Sequence, residues 1–380
     1  MRSGDKDWRA SSWRRSGIAS VTIAAALTMG WIAGARKSVQ AVGIAASEPE
    51  ADVRIGVLGL FHSQELRLYP AGKEGLEVAV DHRSRRLARD TPAVVIHLRG
   101  NQLAVQFRAD SEVASGAILR ASTGISANPA GFWLEVPGKL KRRYAGTLEI
   151  HAHGAQLEAV VTMPLETAVA SVVAAESPPR AGLEALKAQA VAARSFLVAR
   201  QAGHADFDFC DTTHCQFLRS PPEPGSEPDK AARATRGLIL EWHDDAVGMD
   251  RPLAAMYARS CGGRTRTLRE AGVRSDGYPY YAVRCDYCSR HPEMWQREAK
   301  GAPRTEQERL AFNRIHGWGA VPGLPASAAG SDGQIQGRGV GHGIGLCQLG
   351  AAEMARQGAT FAQILAHYYP NTKLTPLAAP

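Results

Sequence analysis

Short runs of alternating apolar and polar residues, broken by Gly, Pro and Asn, cover the region from Val53 to about Met163. Alternation with a period of two is the pattern of half-buried β-strands. The clearest runs are Val53–Leu60, Leu76–Val80, Ala93–Leu98, Gln102–Phe107, Phe132–Val136 and Gly146–His151. The pattern predicts a β-rich accessory domain over residues 53–163.

The pattern changes at Pro164, after which the helical spacing of three and four residues dominates. Gly182–Gln201 shows this spacing most clearly and predicts a long helix. Weaker patterns predict a helix running into a strand at Ala231–Leu240, a strand at Leu253–Ser260, and helices at Ala351–Gln357 and Thr360–Tyr369. The fold class is therefore expected to be α+β, with a β-rich domain followed by a mixed α/β domain over residues 164–375.

An uncharged apolar stretch, Gly17–Ala35, follows Arg14 and Arg15 near the N-terminus. Its length lies between that of a long signal-peptide core and that of a short membrane span. Basic residues concentrate before the stretch, which places the rest of the chain outside the cytoplasm. Residues 1–41 are thus expected to be a signal peptide or a signal anchor, and residues 42–52 a linker. Both alternatives predict an exported protein that contacts a membrane only through this segment.

The formal net charge of +8 first suggests a nucleic-acid partner. Residues 1–41 contain seven basic and two acidic residues, a balance of 7 − 2 = +5, so only 8 − 5 = +3 remains for the rest of the chain. A nucleic-acid-binding domain needs clustered charge on its folded surface. We therefore expect no nucleic-acid partner.

Two histidines and two cysteines lie within one short segment, at His204, Cys210, His214 and Cys215. Thiolate and imidazole are the ligands that Zn²⁺ prefers, and a closed set of four is typical of a structural site. A disulfide between Cys210 and Cys215 is the alternative, because exported proteins meet an oxidising environment. Structural zinc is the preferred prediction.

A second group contains Cys285, Cys288 and His291 at two-residue spacings. With Cys261 it would supply ligands for a second metal, and a disulfide within the group is an equal alternative.

Glu176 follows an apolar run and precedes a Ser-Pro-Pro break. Burial at such a break raises the pKa of a carboxyl, as a general acid near neutral pH requires, whereas a following helix N-terminus favours the carboxylate. The Gly-rich segment Gly337–Gly345 has no following Lys-Ser/Thr, which argues against nucleotide binding. We expect its backbone to approach an extended ligand closely, with His342 donating to that ligand or orienting the acid. The alternative is a tight-turn segment in which His342 only satisfies backbone carbonyl groups.

Several of these segments together resemble the stage II sporulation protein D (SpoIID) family, which includes the amidase-enhancer proteins. The resemblance spans roughly residues 165–375, in the order of the family. It rests on the segments Val172–Pro178, Glu184–Phe196, His214–Gln216, Tyr257–Thr265, Gly341–Ala351 and Ile364–Pro370. Ser177 stands where the family has Met, Ser195 where Thr is common, and Cys347 where Ser is frequent.

The resemblance implies a catalytic domain that cleaves peptidoglycan glycan strands as a lytic transglycosylase, preferring strands without stem peptides. It places the catalytic acid/base at Glu176 and supports Zn²⁺ at His204, Cys210, His214 and Cys215. Candidates for lining the substrate groove are Gln189, Arg194, Gln216, Ser260, His342 and Gln348, and Arg194 has a structural role as its alternative. The rival function is a non-catalytic glycan-binding module that recruits or activates a cell-wall amidase. A zinc hydrolase is the third possibility, and it requires one metal ligand to be free.

Overall fold

The computed structural model describes residues 51–377, except for 74, 108–111, 124–130, 200–202, 274–276, 299–300, 302, 318, 325 and 329–332. The predicted signal or anchor segment lies outside the described residues, as does most of the predicted linker. Asp52, assigned to the linker from sequence, instead begins the first strand. Among the described residues, no helix combines the length and apolarity that a membrane span needs.

The strands are β1 Asp52–Val57, β2 Glu65–Pro70, β3 Leu76–Val80, β4 Arg83–Leu87, β5 Val94–Arg99, β6 Gln102–Phe107, β7 Glu112–Gly116, β8 Ile118–Ser122, β9 Phe132–Val136, β10 Leu140–Tyr144, β11 Thr147–His153, β12 Gln156–Pro164, β13 Phe209–Cys210, β14 Leu238–Asp244, β15 Met249–Pro252, β16 Tyr257–Ala258, β17 Met294–Glu298, β18 Ala326–Ala328, β19 Gln334–Arg338, β20 Leu346–Cys347 and β21 Thr372–Pro376. The helices are α1 Leu165–Glu176, α2 Leu183–Ala199, α3 Glu227–Ala234, α4 Leu268–Ala271, α5 Asp286–Arg290, α6 Glu306–His316, α7 Gln348–Arg356 and α8 Phe361–Tyr368. A short 3₁₀ helix spans Gly59–Phe61.

The predicted β-rich region forms two large sheets. Their strand orders are β13-β1-β12-β11-β8-β3-β4 and β10-β9-β2-β5-β6-β7. Strands such as β2 and β9 bury alternate residues, which explains the alternating sequence pattern. The run predicted as Val53–Leu60 ends as a strand at Val57, because Leu58 adopts a left-handed φ of 63° and the 3₁₀ helix follows.

The helical region packs around α2. This helix contacts α1, α3, α7, α8 and β14, and most of its residues are buried. The strand predicted at Leu253–Ser260 is wrong for most of its length, since only Tyr257 and Ala258 are extended in a sheet. The physical reason is a change of partner: β15 pairs with β14, and after an irregular stretch β16 pairs in parallel with β20.

The mixed α and β composition is confirmed. The predicted boundary at Pro164 coincides with the end of β12, and α1 begins at the next residue. One hydrophobic core nevertheless runs through both regions, from Val53 in β1 to Tyr369 beyond α8. The β-rich region therefore supports the helical region directly, and the two belong to one compact unit.

Candidate functional site

Glu176 is the last residue of α1. Ser177 leaves the helical conformation, and Pro178 favours that extended geometry in the residue before it. The Glu176 carboxyl accepts a hydrogen bond from the backbone N–H of Phe217. Burial raises its pKa to about 7, while the Phe217 amide and the nearby Tyr257 hydroxyl lower it. The carboxyl can therefore be both proton donor and proton acceptor near neutral pH.

From the sequence, the N-terminus of the following helix was expected to favour the Glu176 carboxylate. The structure places the residue at the C-terminus of α1, where the dipole disfavours a negative charge. The next helix, α2, begins only at Leu183. The dipole of α1 and the burial of the carboxyl thus act in the same direction on the pKa of Glu176.

Buried polar side chains without a hydrogen-bond partner among the described residues gather around this carboxyl. They are Ser177 Oγ, Gln189 Nε2 and both amide atoms of Gln216. Ser177 follows Glu176 in the chain, Gln216 precedes Phe217, and Tyr257 lies beside both Glu176 and Gln189. An unpaired buried polar group costs about 1–3 kcal/mol, so these atoms require polar partners, which water or a bound ligand would supply.

Gln348 connects this group to α7. Its Nε2 donates to the Glu176 carbonyl oxygen at 3.0 Å and to Gln189 Oε1 at 3.3 Å. The structure therefore places Gln189 and Gln348 beside Glu176, and Gln216 next to Phe217, whose amide contacts the acid. It adds Tyr257, whose motif was recognised but whose side chain was not proposed for the site.

Arg194 does not line the groove, and its alternative structural role is correct. Its side chain is fully buried, and it forms a bidentate ion pair with Glu166 at 2.7 and 2.6 Å. Its guanidinium also donates to the carbonyl oxygens of Leu238 and Ala232. These contacts fix α2 to α1, α3 and β14 and leave no part of the guanidinium for a ligand.

Ser260 and His342 also lie outside the immediate surroundings of the acid. Ser260 is buried with its Oγ 3.5 Å from Cys288 Sγ. His342 Nδ1 accepts the N–H of Ile344 at 3.0 Å, its ring faces the backbone of Tyr257, and burial lowers its pKa. His342 is therefore a neutral side chain that supports the strand carrying Tyr257.

The Gly-rich segment approaches the protein's own backbone, which corrects the expectation that it approaches a ligand. A Cβ at Gly345 would lie 1.9 Å from the Met256 carbonyl oxygen, and one at Gly339 would lie 2.6 Å from that of Ser260. Both glycines have positive φ. They permit the segment to pack against the chain around β16.

The potential ligand atoms of the four predicted zinc ligands lie within 4.8 Å of one another. The distances are 3.4 Å between the sulfurs of Cys210 and Cys215, 3.2 Å from His204 Nε2 to Cys215 Sγ, and 3.5 Å from His214 Nδ1 to Cys215 Sγ. A tetrahedral zinc with bonds of about 2.3 Å to sulfur and 2.0 Å to nitrogen separates its ligand atoms by about 3.3–3.8 Å. The donor set and its spacing therefore fit zinc, and they do not fit a Cys210–Cys215 disulfide, whose sulfurs would lie about 2.05 Å apart.

The loop that carries this cluster is joined to the β-rich region and continues to the residues beside Glu176. Cys210, in β13, pairs in parallel with Gly56 of β1. The buried Asp211 forms an ion pair with Arg142 at 3.1 Å and accepts the N–H of Leu58. The same loop then supplies Gln216 and the Phe217 amide to the site. An ordered cluster would consequently hold the Phe217 amide, which contacts Glu176.

The remaining four cysteines, Cys261, Cys285, Cys288 and Cys347, form a second cluster and are all buried. The sequence analysis grouped His291 with three of them, and that assignment is wrong. His291 is exposed at the end of α5, while Cys347 completes the cluster from a distant part of the chain.

An open cleft of about 430 Å³ lies beside the turn that follows Glu176. Pro178, Arg180, Leu183, Leu349 and Arg356 are among the residues that line it. The cleft thus extends from the end of α1 across the first turn of α2 to α7.

Comparison with known proteins agrees with the motifs. Residues 153–242 match the family model described as SpoIID, stage II sporulation protein. Stage II sporulation protein D of Bacillus subtilis (strain 168) is 24% identical, with 72% of this chain and 90% of the relative aligned.

Two further relatives extend the comparison. Stage II sporulation protein D of Bacillus amyloliquefaciens is 26% identical over 57% of this chain and 75% of its own length. An uncharacterised protein of Brachyspira hyodysenteriae is 24% identical over 72% of this chain and 87% of its own length. The resemblance to the SpoIID family predicted from the motifs is confirmed.

Proposed function

We propose that the protein is an exported peptidoglycan lytic transglycosylase in which Glu176 is the acid and the base. Family membership supports a role in remodelling the cell wall. The observation that carries the proposal is the Glu176 carboxyl, with a pKa raised to about 7 among buried polar side chains that have no partner.

In the proposed reaction, protonated Glu176 donates to the glycosidic oxygen between N-acetylmuramic acid and N-acetylglucosamine. The bond from the muramoyl C1 to that oxygen breaks. The carboxylate then takes the proton of the muramoyl C6 hydroxyl, whose oxygen bonds to C1 and closes a 1,6-anhydro ring. The Phe217 amide and the Tyr257 hydroxyl favour the carboxylate and so assist the first proton transfer, in which Glu176 loses its proton.

The surroundings of Glu176 favour this chemistry over hydrolysis. Most hydrolytic glycosidases use two carboxylates on opposite sides of the scissile bond. The groups that shift the pKa of Glu176 include no second carboxylate. Glu184, the acidic residue in the helix segment of the motif, accepts hydrogen bonds from Lys187 and from the Phe361 amide.

The cleft supports a substrate without stem peptides. A denuded strand exposes the lactyl carboxylates of its muramoyl residues, and the exposed Arg180 in the cleft wall would pair with one of them, whereas Arg356 is already paired with Glu353. An open cleft also suits an extended polymer better than it suits a small molecule. Product analysis on denuded glycan strands tests the proposal: anhydro-muramoyl ends support it, and the absence of cleavage favours the amidase-recruiting module.

Zinc at the Cys2His2 cluster would have a structural role. All four positions of a tetrahedral ion are taken by His204, Cys210, His214 and Cys215, so none is free for water or substrate. When bound, the ion would order the loop that carries Gln216 and Phe217. This arrangement argues against a zinc hydrolase.

His214→Ala is expected to lower the zinc content by one equivalent per chain. It should also reduce cleavage at least about 10-fold, because the loop that carries Gln216 and Phe217 would lose the ion that orders it. Elemental analysis and activity assays on the purified variant measure both. His243→Ala, at an exposed histidine paired with Asp250, is the control and should change neither. Unchanged zinc content in the His214 variant would contradict this assignment.

Tyr257→Phe is expected to move the alkaline limb of the pH–activity profile upward by up to about one unit. The reason is that the Tyr257 hydroxyl lowers the pKa of Glu176, so its loss keeps the acid protonated to higher pH. Tyr369→Phe is the matched control, since its hydroxyl donates to the Met256 carbonyl oxygen nearby. A limb that moves downward, or that moves equally in both variants, would contradict the role of Tyr257.

A further inference from the structure

We propose that Cys261, Cys285, Cys288 and Cys347 bind a second zinc ion, separate from the Cys2His2 cluster. The four cysteines come from three distant parts of the chain, and the fold places all their sulfurs within 4.8 Å of one another. The inference rests on this geometry alone and does not depend on the proposed enzymatic activity.

The sulfur positions fit a single tetrahedral ion. Cys288 Sγ and Cys347 Sγ lie 3.5 Å apart, close to the roughly 3.8 Å expected between thiolates around a zinc with bonds of about 2.3 Å. The sulfurs of a disulfide would lie about 2.05 Å apart. An iron–sulfur cubane would hold its cysteines farther apart, because the cluster itself occupies the space between them.

Hydrogen-bond donors lie beside three of the four sulfurs. Cys347 Sγ accepts the backbone N–H groups of Cys261 at 3.4 Å and of Gly350 at 3.5 Å. Tyr368 Oη donates to Cys285 Sγ at 3.5 Å, and Ser260 Oγ lies at the same distance from Cys288 Sγ. Such donors stabilise thiolate charge and orient metal ligands.

The backbone is shaped to leave room for this arrangement. A Cβ at Gly350 would lie 2.5 Å from Cys285 Sγ and 2.1 Å from the Tyr368 hydroxyl. Cys347 and Cys285 are also the residues that immediately precede α7 and α5. Tetrahedral sets of four thiolates select zinc or iron–sulfur centres, and the compact spacing selects a single ion.

The metal would connect the segments that carry two residues beside Glu176. Cys347 precedes Gln348, which donates to the Glu176 carbonyl oxygen. Cys261 lies shortly after β16, which carries Tyr257 and pairs with β20, where Cys347 is located. The second zinc would thus hold β16, β20, α5 and α7 together on one side of the site.

Zinc analysis of the purified full-length protein tests the proposal. The double variant Cys285→Ser/Cys288→Ser is expected to contain one zinc equivalent less than the wild type, and the same difference should persist when both proteins carry His214→Ala. Ser289→Ala is the matched control, since this hydroxyl bonds only to nearby carbonyl oxygens of Gly263 and Cys285.

Two measurements on the wild type keep the test independent of how the variant folds. Anomalous diffraction at the zinc edge should show a peak between the four sulfurs, and alkylation in denaturant without reductant should label all six cysteines. No peak at that position would overturn the proposal. If Cys261, Cys285, Cys288 and Cys347 were alkylated only after reduction, they would form disulfides instead. Iron with acid-labile sulfide would establish an iron–sulfur cluster.

Discussion

Glu176→Gln is expected to reduce glycan cleavage by at least about 10²–10⁴-fold while leaving the protein folded. The glutamine amide cannot donate a proton as an acid or accept one as a base, but its oxygen can still accept the Phe217 N–H. Cleavage rates on denuded glycan strands, together with circular dichroism and zinc content, measure the two effects separately. Glu77→Gln is the control, because this exposed carboxylate accepts a hydrogen bond from Ser84 in the β-rich region and should be dispensable for cleavage.

Glu176→Gln should also change the pH dependence of the protein's stability, an effect that does not depend on substrate. The folded protein raises the pKa of Glu176 from 4.5 to about 7, so folding favours the protonated form and stability is lost as the pH rises between these values. Glutamine does not ionise. The free energy of unfolding of Glu176→Gln minus that of the wild type should therefore be about 2 kcal/mol larger at pH 8.5 than at pH 5.5.

Urea denaturation of both proteins at the two pH values measures this difference. Other titrating groups are shared by the two proteins and cancel, including Asp211, whose pKa burial raises to about 6. A relative stability that is independent of pH would show that the Glu176 carboxyl is already ionised at pH 5.5, which would contradict its assignment as the acid.

Arg194→Met should have the largest effect on stability, about 3–5 kcal/mol. The substitution removes a fully buried guanidinium and leaves the Glu166 carboxylate without its bidentate partner. It also leaves the carbonyl oxygens of Leu238 and Ala232 without this donor. Thermal and urea denaturation monitored by circular dichroism measure the loss.

A second variant separates the charge from the packing. Glu166→Gln/Arg194→Met removes both charges, so it should recover a large part of the stability that Arg194→Met loses. If the single variant loses less than about 1 kcal/mol, the guanidinium does not hold the helices together and its assignment as a groove residue returns.

The sequence predicts the local structure of this protein well because the local patterns are strong. Alternation in β3, β6 and β9 gives their bounds directly, since each has one buried face. The helical spacing places α2 within two residues of its observed ends. The His/Cys segment from His204 to Cys215 was found because its ligands are close in sequence.

Features that depend on distant contacts could not be predicted in the same way. Cys347 lies 59 residues from Cys288, and only the parallel pairing of β16 with β20 brings it to the other cysteines. Arg194 looks like a groove residue in a motif, but its side chain points at Glu166, 28 residues earlier. The glycines at 339 and 345 indicated a close approach, and the sequence contained no sign that the approaching group was the protein's own backbone.

The most direct test of the central claim is mass spectrometry of denuded glycan strands digested in water enriched in the heavy oxygen isotope. The account predicts that the folded, zinc-loaded wild type releases products ending in 1,6-anhydro-muramic acid without heavy oxygen, and that Glu176→Gln releases none. Heavy oxygen in new reducing ends would identify a hydrolase and contradict the lytic transglycosylase. No cleavage by the wild type would contradict the enzyme assignment on this substrate and favour a glycan-binding module that recruits an amidase.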